Sequence, residues 1–129
     1  VLNFDQDSNP KKISKSIEIV YGLRNFIGNA NKFAKEKIFI TINSDSKITE
    51  VIIEDDGEGF SKDILDKIGE PYIRTKKKND TDKSGLGLGI FIGGTLLERN
   101  FAKVVCRNSL TRNGAEVIIR WNNKDLLDL

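Results

Sequence analysis

In the stretch LRNFIGNANKFA, Asn25, Asn29 and Lys32 recur at steps of four and three residues. On a helix advancing about 100° per residue they fall within roughly 60° of one another, with Leu23, Ile27, Ala30 and Ala34 pointing the opposite way. An amide oxygen is a good hard ligand for magnesium, and a lysine one turn further on can hold a phosphate. A polar stripe is also what simple solvation of a surface helix produces. Asparagine is nevertheless a poor helix former, and Lys or Glu would serve solvent as well.

A second candidate lies in IIEDDGEGFS, where a β-branched run meets two carboxylates and two glycines. Asp55, at the strand end, can offer its carboxylate to the exocyclic amine of adenine, while Gly57 and Gly59 let a ring approach the backbone. Asp56 is the more exposed neighbour. The plainer alternative is a strand-terminating Asp-Gly turn. A third candidate is SGLGLGI, which sets Gly85, Gly87 and Gly89 immediately before a helix, where bare N–H groups and the positive end of the dipole favour an anion. Phosphate is the obvious anion. The spacing matches neither the dinucleotide-binding glycine pattern nor the P-loop, and a glycine hinge is the alternative.

These residues need elements to hold them. Apolar Val20, Leu23, Ile27, Ala30 and Ala34 recur at helical steps and predict one long helix from about Ser14 to Glu36 with a buried stripe. KIFITIN and TEVIIEDD, joined by SDSK, predict a hairpin. Ser61 is placed to cap a short helix in SKDILDKI. GEPYIRTKKKNDTDKS has almost no apolar content after Ile73 and predicts a mobile loop. A second apolar helix follows in GIFIGGTLLERN, and AKVVCRN with AEVIIRW predicts a closing hairpin around SLTRNG. The order implies an α+β two-layer α/β sandwich: a mixed, mainly antiparallel sheet covered on one face by about three helices.

The 129 residues fit one domain able to bury roughly two-thirds of its unfolded surface. With 21 basic and 19 acidic residues there is no global field for nucleic acid, nor any aromatic interleaving or basic face that would suit one. Histidine is absent, which removes histidine catalysis and histidine metal ligation from this chain. The one cysteine, Cys106, sits in the apolar run KVVCRN and reads as a small core residue of a reduced compartment. No run reaches the ~18 apolar residues of a membrane span. The opening VLNFDQD reads as the tail of a strand, so a fragment of a larger protein is expected.

Taken together and in order, the boxes resemble the ATP-binding domain of sensor histidine kinases, of the GHKL or Bergerat superfamily shared with gyrase, Hsp90 and MutL. LRNFIGNANKFA looks like the N box, DDGEGF the first glycine box, GEPYIRTK the F box and GLGLGI the second glycine box. NGAEVIIRW resembles the closing glycine box, so the likeness spans nearly the whole chain. The resemblance implies ATP and Mg²⁺ as ligands, with Asn29 on the metal, Lys32 near the phosphates and Asp55 reading adenine beside Gly57 and Gly59. It also implies a nucleotide lid at about 70–87. Tyr72 stands in place of the usual F-box phenylalanine, and Gly85, Leu86, Gly87, Leu88 and Gly89 shape the phosphate end. Arg74, or one of Lys76, Lys77 and Lys78, can add charge there, although lysine runs are often only solvated. The wording of LRNFIGNANKFA, GEPYIRTK and GIFIGGTLLER is similar to the redox-responsive RegB/PrrB-type kinases.

Two departures carry weight. Many relatives have a hydroxyl residue after the last glycine, where this chain has Ala115. The ATPases of the superfamily place a glutamate four residues before the magnesium asparagine, and here that residue is Asn25, whose amide is no useful base at neutral pH. Glu18, about two turns earlier, is a poor substitute. Phosphoryl transfer to an outside nucleophile is therefore expected over hydrolysis. The implied partners are a histidine-bearing dimerisation domain of the same kinase, upstream in a homodimer anchored in the bacterial inner membrane, and a response regulator receiver domain. A self-contained ATPase and a non-enzymatic nucleotide-binding switch remain the alternatives.

Overall fold

A computed structural model describes residues 2–4, 17–67 and 86–127. The element order is β1 (Leu2–Phe4), α1 (Ile17–Phe33), β2 (Ile38–Ser44), β3 (Ile48–Asp55), α2 (Lys62–Lys67), α3 (Leu86–Arg99), β4 (Lys103–Asn108), β5 (Ala115–Asn122) and α4 (Asn123–Leu127). The strands form one sheet in the order β1-β2-β3-β5-β4, with β1 parallel to β2 and every other pair antiparallel. The mixed, mainly antiparallel sheet and the strand-like start of the chain are as the sequence predicts. Segment 68–85, which holds most of the predicted lid, lies outside the described residues.

The core joins the inner sheet face to α1 and α3. Phe26, Ile53, Leu97 and Ile119 are its largest fully buried side chains, and Cys106 packs partly buried against it. Register explains the sheet's share: Ile53 pairs with Val117 and Val51 with Ile119, so alternate β3 and β5 side chains point to the helices.

On α1 the buried stripe is Ile19, Gly22, Phe26 and Ala30, with Leu23 and Ile27 at its margin. This corrects the predicted stripe: Val20 is 49% exposed, and Ala34 lies beyond the helix. The cause is the close fit of α3. A β-carbon on Gly22 would come within 2.6 Å of Leu97 Cγ, and one on Gly93 within 3.0 Å of Phe26 Cε2, so the two helices meet through their glycines. The seam turns α1 away from the orientation that its larger apolar residues alone suggest.

Local chemistry sets the boundaries. Helix α1 stops at Phe33 rather than Glu36 because the Asp56 carboxylate takes the N–H groups of Lys35, Glu36 and Lys37, at 2.8, 3.1 and 3.2 Å. Asp45 Oδ1 accepts from Lys47 and Ile48 N–H and closes the β2–β3 turn. Ser61 caps α2 as predicted, its Oγ accepting from Ile64 N–H at 3.2 Å. Helix α3 ends in a Schellman arrangement, with Ala102 N–H on the Leu97 carbonyl and Phe101 N–H on the Glu98 carbonyl. Phe101 occupies the left-handed position there, at φ 71°.

Candidate functional site

Asp55 is the last residue of β3 and is buried, 3% exposed. Its Oδ1 accepts from Gly57 N–H at 2.8 Å and from Ala115 N–H at 3.3 Å. Its Oδ2 has no partner among the described residues, so one acceptor remains for a ligand's N–H donor. Two glycines make room for this carboxylate. A β-carbon on Gly57 would lie 2.1 Å from the Phe33 carbonyl oxygen, and Gly114 is as close to Asp55 itself.

A cavity of about 830 Å³ opens in front of Asp55, within the range of small-molecule sites. Its walls are Phe26, Asn29, Ala30, Lys32, Phe33 and Lys35 at the α1 side, Ile53, Ala115 and Val117 on the sheet, and Glu58, Gly59, Phe60, Ser61 and Ile64 from the β3–α2 loop and α2. Ile90 of α3 closes it. Apolar walls with one buried carboxylate suit a flat heteroaromatic ring with an exocyclic amine.

Asn29 lines this cavity, and its Nδ2 is buried with no hydrogen-bond partner among the described residues. Opposite it lies Gly89, where a β-carbon would sit 3.2 Å from both amide atoms. An orphaned buried amide costs about 1–3 kcal/mol, a cost that a ligand reaching the amide would remove. Lys32 lies one turn on, with Nζ 5.6 Å from the Phe33 ring centre, and Lys35 supplies a second cation at the rim. Gly87 and Gly89 are inside α3, whose first residue is Leu86, so the predicted glycine approach to the helix is in fact its first turn. The first N–H groups of a helix have no partner within the helix, and Gly89 of that turn stands against the Asn29 amide.

Asn25 does not line the cavity. Its Nδ2 donates back to the Tyr21 carbonyl at 2.8 Å, and its Cβ packs near Gly93. Glu18 is held at the other end of the helix seam by Asn100 Nδ2 and Arg99, both within about 3.3 Å. Tyr72, Arg74, Lys76, Lys77, Lys78 and Gly85 lie outside the described residues.

Sequence reasoning missed three supports. Asp56, expected only to be the more exposed neighbour, joins β3 to the end of α1, and its carboxyl is held below the usual value chiefly by the Glu36 N–H, with desolvation opposing and the Lys37 and Lys35 N–H groups adding to the lowering. Asn108 reaches from β4 to Phe60, accepting from its N–H at 2.7 Å and donating to its carbonyl at 3.0 Å. Gly114 was visible as the glycine of a box, but only the fold brings it against Asp55. The missing hydroxyl at Ala115 leaves a backbone N–H to make the contact with Asp55.

Residues 14–124 match the family of histidine kinase-, DNA gyrase B- and HSP90-like ATPases. Among curated proteins, the sensor histidine kinase RegB of Cereibacter sphaeroides is 34% identical over 108 residues, covering 80% of this chain and 23% of that protein. The histidine protein kinase SaeS of Staphylococcus aureus is 31% identical over 86 residues, covering 64% and 24%. The chain thus spans about a quarter of the length of these relatives. Among solved structures, full-length ShkA in complex with AMPPNP superposes with a TM-score of 0.66 at 24% identity, over 93% of this chain and 25% of that one. The catalytic domain of the histidine kinase ThkA superposes at 0.64 with 20% identity, over 94% and 80%. These two likenesses establish the fold.

Proposed function

The chain belongs to the histidine kinase-, DNA gyrase B- and HSP90-like ATPase family, and we propose that it is the ATP-binding catalytic domain of a two-component sensor histidine kinase. In this reading ATP places adenine against Asp55 and its phosphates between Asn29, Lys32 and the first turn of α3. A histidine imidazole of a separate domain attacks the γ-phosphorus, the bond to the β-phosphate oxygen breaks, ADP leaves, and the imidazole proton passes to solvent.

The observation that carries the reading is the state of α1. Asn25 is turned back on its own helix, Glu18 is held by Arg99 and Asn100, and α1 contributes no carboxylate to the cavity. The carboxylates in the wall, Asp55 and Glu58, belong to β3 and its following loop. A water near Asn29 therefore has no base on that helix, whereas an imidazole needs none of comparable strength. The chain itself contains no histidine, so the acceptor comes from another domain.

Magnesium fits these residues. Among the described residues no three His, Cys, Asp or Glu side chains converge as a cage, and Asn29 sets a side-chain amide in the cavity wall, whose oxygen suits an ion that keeps waters and phosphate oxygens as its other ligands. When bound, Mg²⁺ neutralises charge developing on the phosphates. Asn29 would hold it through Oδ1, and Lys32 would hold the phosphate oxygens as a point charge. Arg74 and the lid lysines are proposed to add to this field, and Gly85 to Gly89 to border it. The whole protein would pair this domain with a histidine-bearing dimerisation domain, act as a membrane-anchored homodimer, and pass phosphate to a receiver domain. No described helix is long and apolar enough to cross a membrane.

The test mixes the chain with Mg·[γ-³²P]ATP and a separately made dimerisation domain of the same kinase. Acid-labile label on that domain's histidine, lost in Asn29→Ala, supports the kinase. Steady phosphate release by the chain alone supports a self-contained ATPase, and tight binding with neither outcome supports a passive switch.

A further inference from the structure

We propose that Asn108 is a positioning residue for the base end of the nucleotide site, acting through the glycine loop rather than by touching the ligand. The inference rests on the reading of Asp55 as the adenine contact. Asn108 is the last residue of β4 and lies in register with Ala115, whose N–H reaches Asp55. Its side-chain amide makes two bonds to one residue across the cavity loop: Oδ1 accepts from Phe60 N–H and Nδ2 donates to the Phe60 carbonyl. Two bonds from one planar group fix both the distance and the rotation of Phe60's backbone, as a neighbouring strand would.

The loop is shaped to receive this amide. Gly59 stands at φ +80°, and a β-carbon there would lie 2.7 Å from Asn108 Oδ1. Only glycine allows both the left-handed turn and the approach of the amide. Gly59 and Phe60 line the cavity directly, and Phe60 is buried. Without Asn108 the two Phe60 backbone groups turn to water, and among the described residues the hydrogen bonds that hold the stretch from Gly57 to Ser61 are those at its ends, by Asp55 and the α2 cap, beside the packing of the Phe60 side chain in the core. Asn108 is itself exposed on an edge strand, so its removal opens no hole in the core.

The test titrates the 129-residue chain calorimetrically with ADP and GDP and follows exchange of the Phe60 amide by NMR. Losing both bonds is expected to weaken ADP binding about tenfold in Asn108→Ala, weaken GDP less, and speed Phe60 exchange by a similar factor. Asn108→Asp keeps the acceptor but not the donor and is expected to fall between; it carries the same comparison if the alanine variant fails to fold. ADP affinity and Phe60 protection both within about twofold of wild type overturn the proposal, and so do equal losses for ADP and GDP alongside a lower melting temperature. A wild type without ADP preference, unchanged by Asp55→Ala, instead overturns the adenine reading, while Phe60 exchange still reports on the clamp.

Discussion

Gly114 lies so close to Asp55 that a β-carbon at 114 would sit 2.1 Å from the Asp55 carbonyl oxygen and 2.2 Å from its Oδ1. Backbone atoms cannot yield as a flexible side chain does, so the hairpin loop and the end of β3 set each other's position. The buried carboxylate in the cavity wall is thereby aimed by a residue 59 positions later in the chain.

Gly114→Ala is accordingly expected to move Asp55. Overpacking of this kind costs about 1–3 kcal/mol of stability, and the displaced carboxylate should cost at least roughly tenfold in ADP affinity. Thermal melting and calorimetry on the same sample measure both. A variant that binds ADP as wild type does would show that Asp55 is not held by this contact.

Two glycines of α1 should respond in opposite directions. Gly22→Ala forces a methyl to within 2.6 Å of Leu97 Cγ, in a seam where Leu97 is fully buried, and should destabilise by about 1–3 kcal/mol despite the gain in helix propensity. Gly28 has nothing within 4 Å of its virtual β-carbon, so Gly28→Ala should stabilise by about 0.5–1 kcal/mol. Denaturant melts of both variants compare the two directly. Equal shifts would contradict a seam built on glycine contact.

Asn29→Ala removes an amide whose Nδ2 is buried without a partner among the described residues. The ligand-free protein should therefore keep its melting temperature or gain up to about 1 kcal/mol, while the gain in ATP affinity on adding Mg²⁺ disappears. Titration with ATP, with and without Mg²⁺, separates the two effects. A lower stability with metal dependence intact would mean that Asn29 is only a packing residue.

Asp56 gives the fold a dependence on acid. Its carboxyl titrates below the ordinary 3.8 because the charged form accepts the Glu36, Lys37 and Lys35 N–H groups. The unfolded chain then takes up the proton at a higher pH than the folded one, so the stabilisation is complete above the unfolded value and is lost as pH falls through the folded one. Asp56→Ala should melt below wild type at pH 7, with the gap closing below about pH 3.8 as the carboxylate is protonated. A gap that persists at lower pH would show that the charge is not what holds the turn.

The β-branched runs of KIFITIN and TEVIIEDD, the SDSK turn that joins them and the Ser61 cap were legible because each depends on residues close in sequence. The face of α1 was not. Val20 is as apolar as Ile19, and only the approach of α3 through Gly22 and Gly93 decides which of the two is buried. The same seam carries Asn29 to Gly89 and leaves Asn25 folded back on Tyr21, although both asparagines stand on one predicted stripe.

Residue types alone determined that this chain folds as a helix-covered, mainly antiparallel sheet, that it carries amide, carboxylate and glycine groups suited to a nucleotide, and that it holds no histidine of its own. Those properties follow from local periodicity and from side-chain chemistry. Tertiary structure decided which groups converge: Asp55 beside Gly114 and Ala115, Asn29 against Gly89, Asp56 on the end of α1, and Asn108 on Phe60. Their physical basis is contact between segments distant in sequence, where a missing β-carbon or a two-point amide bond sets positions that no local pattern encodes.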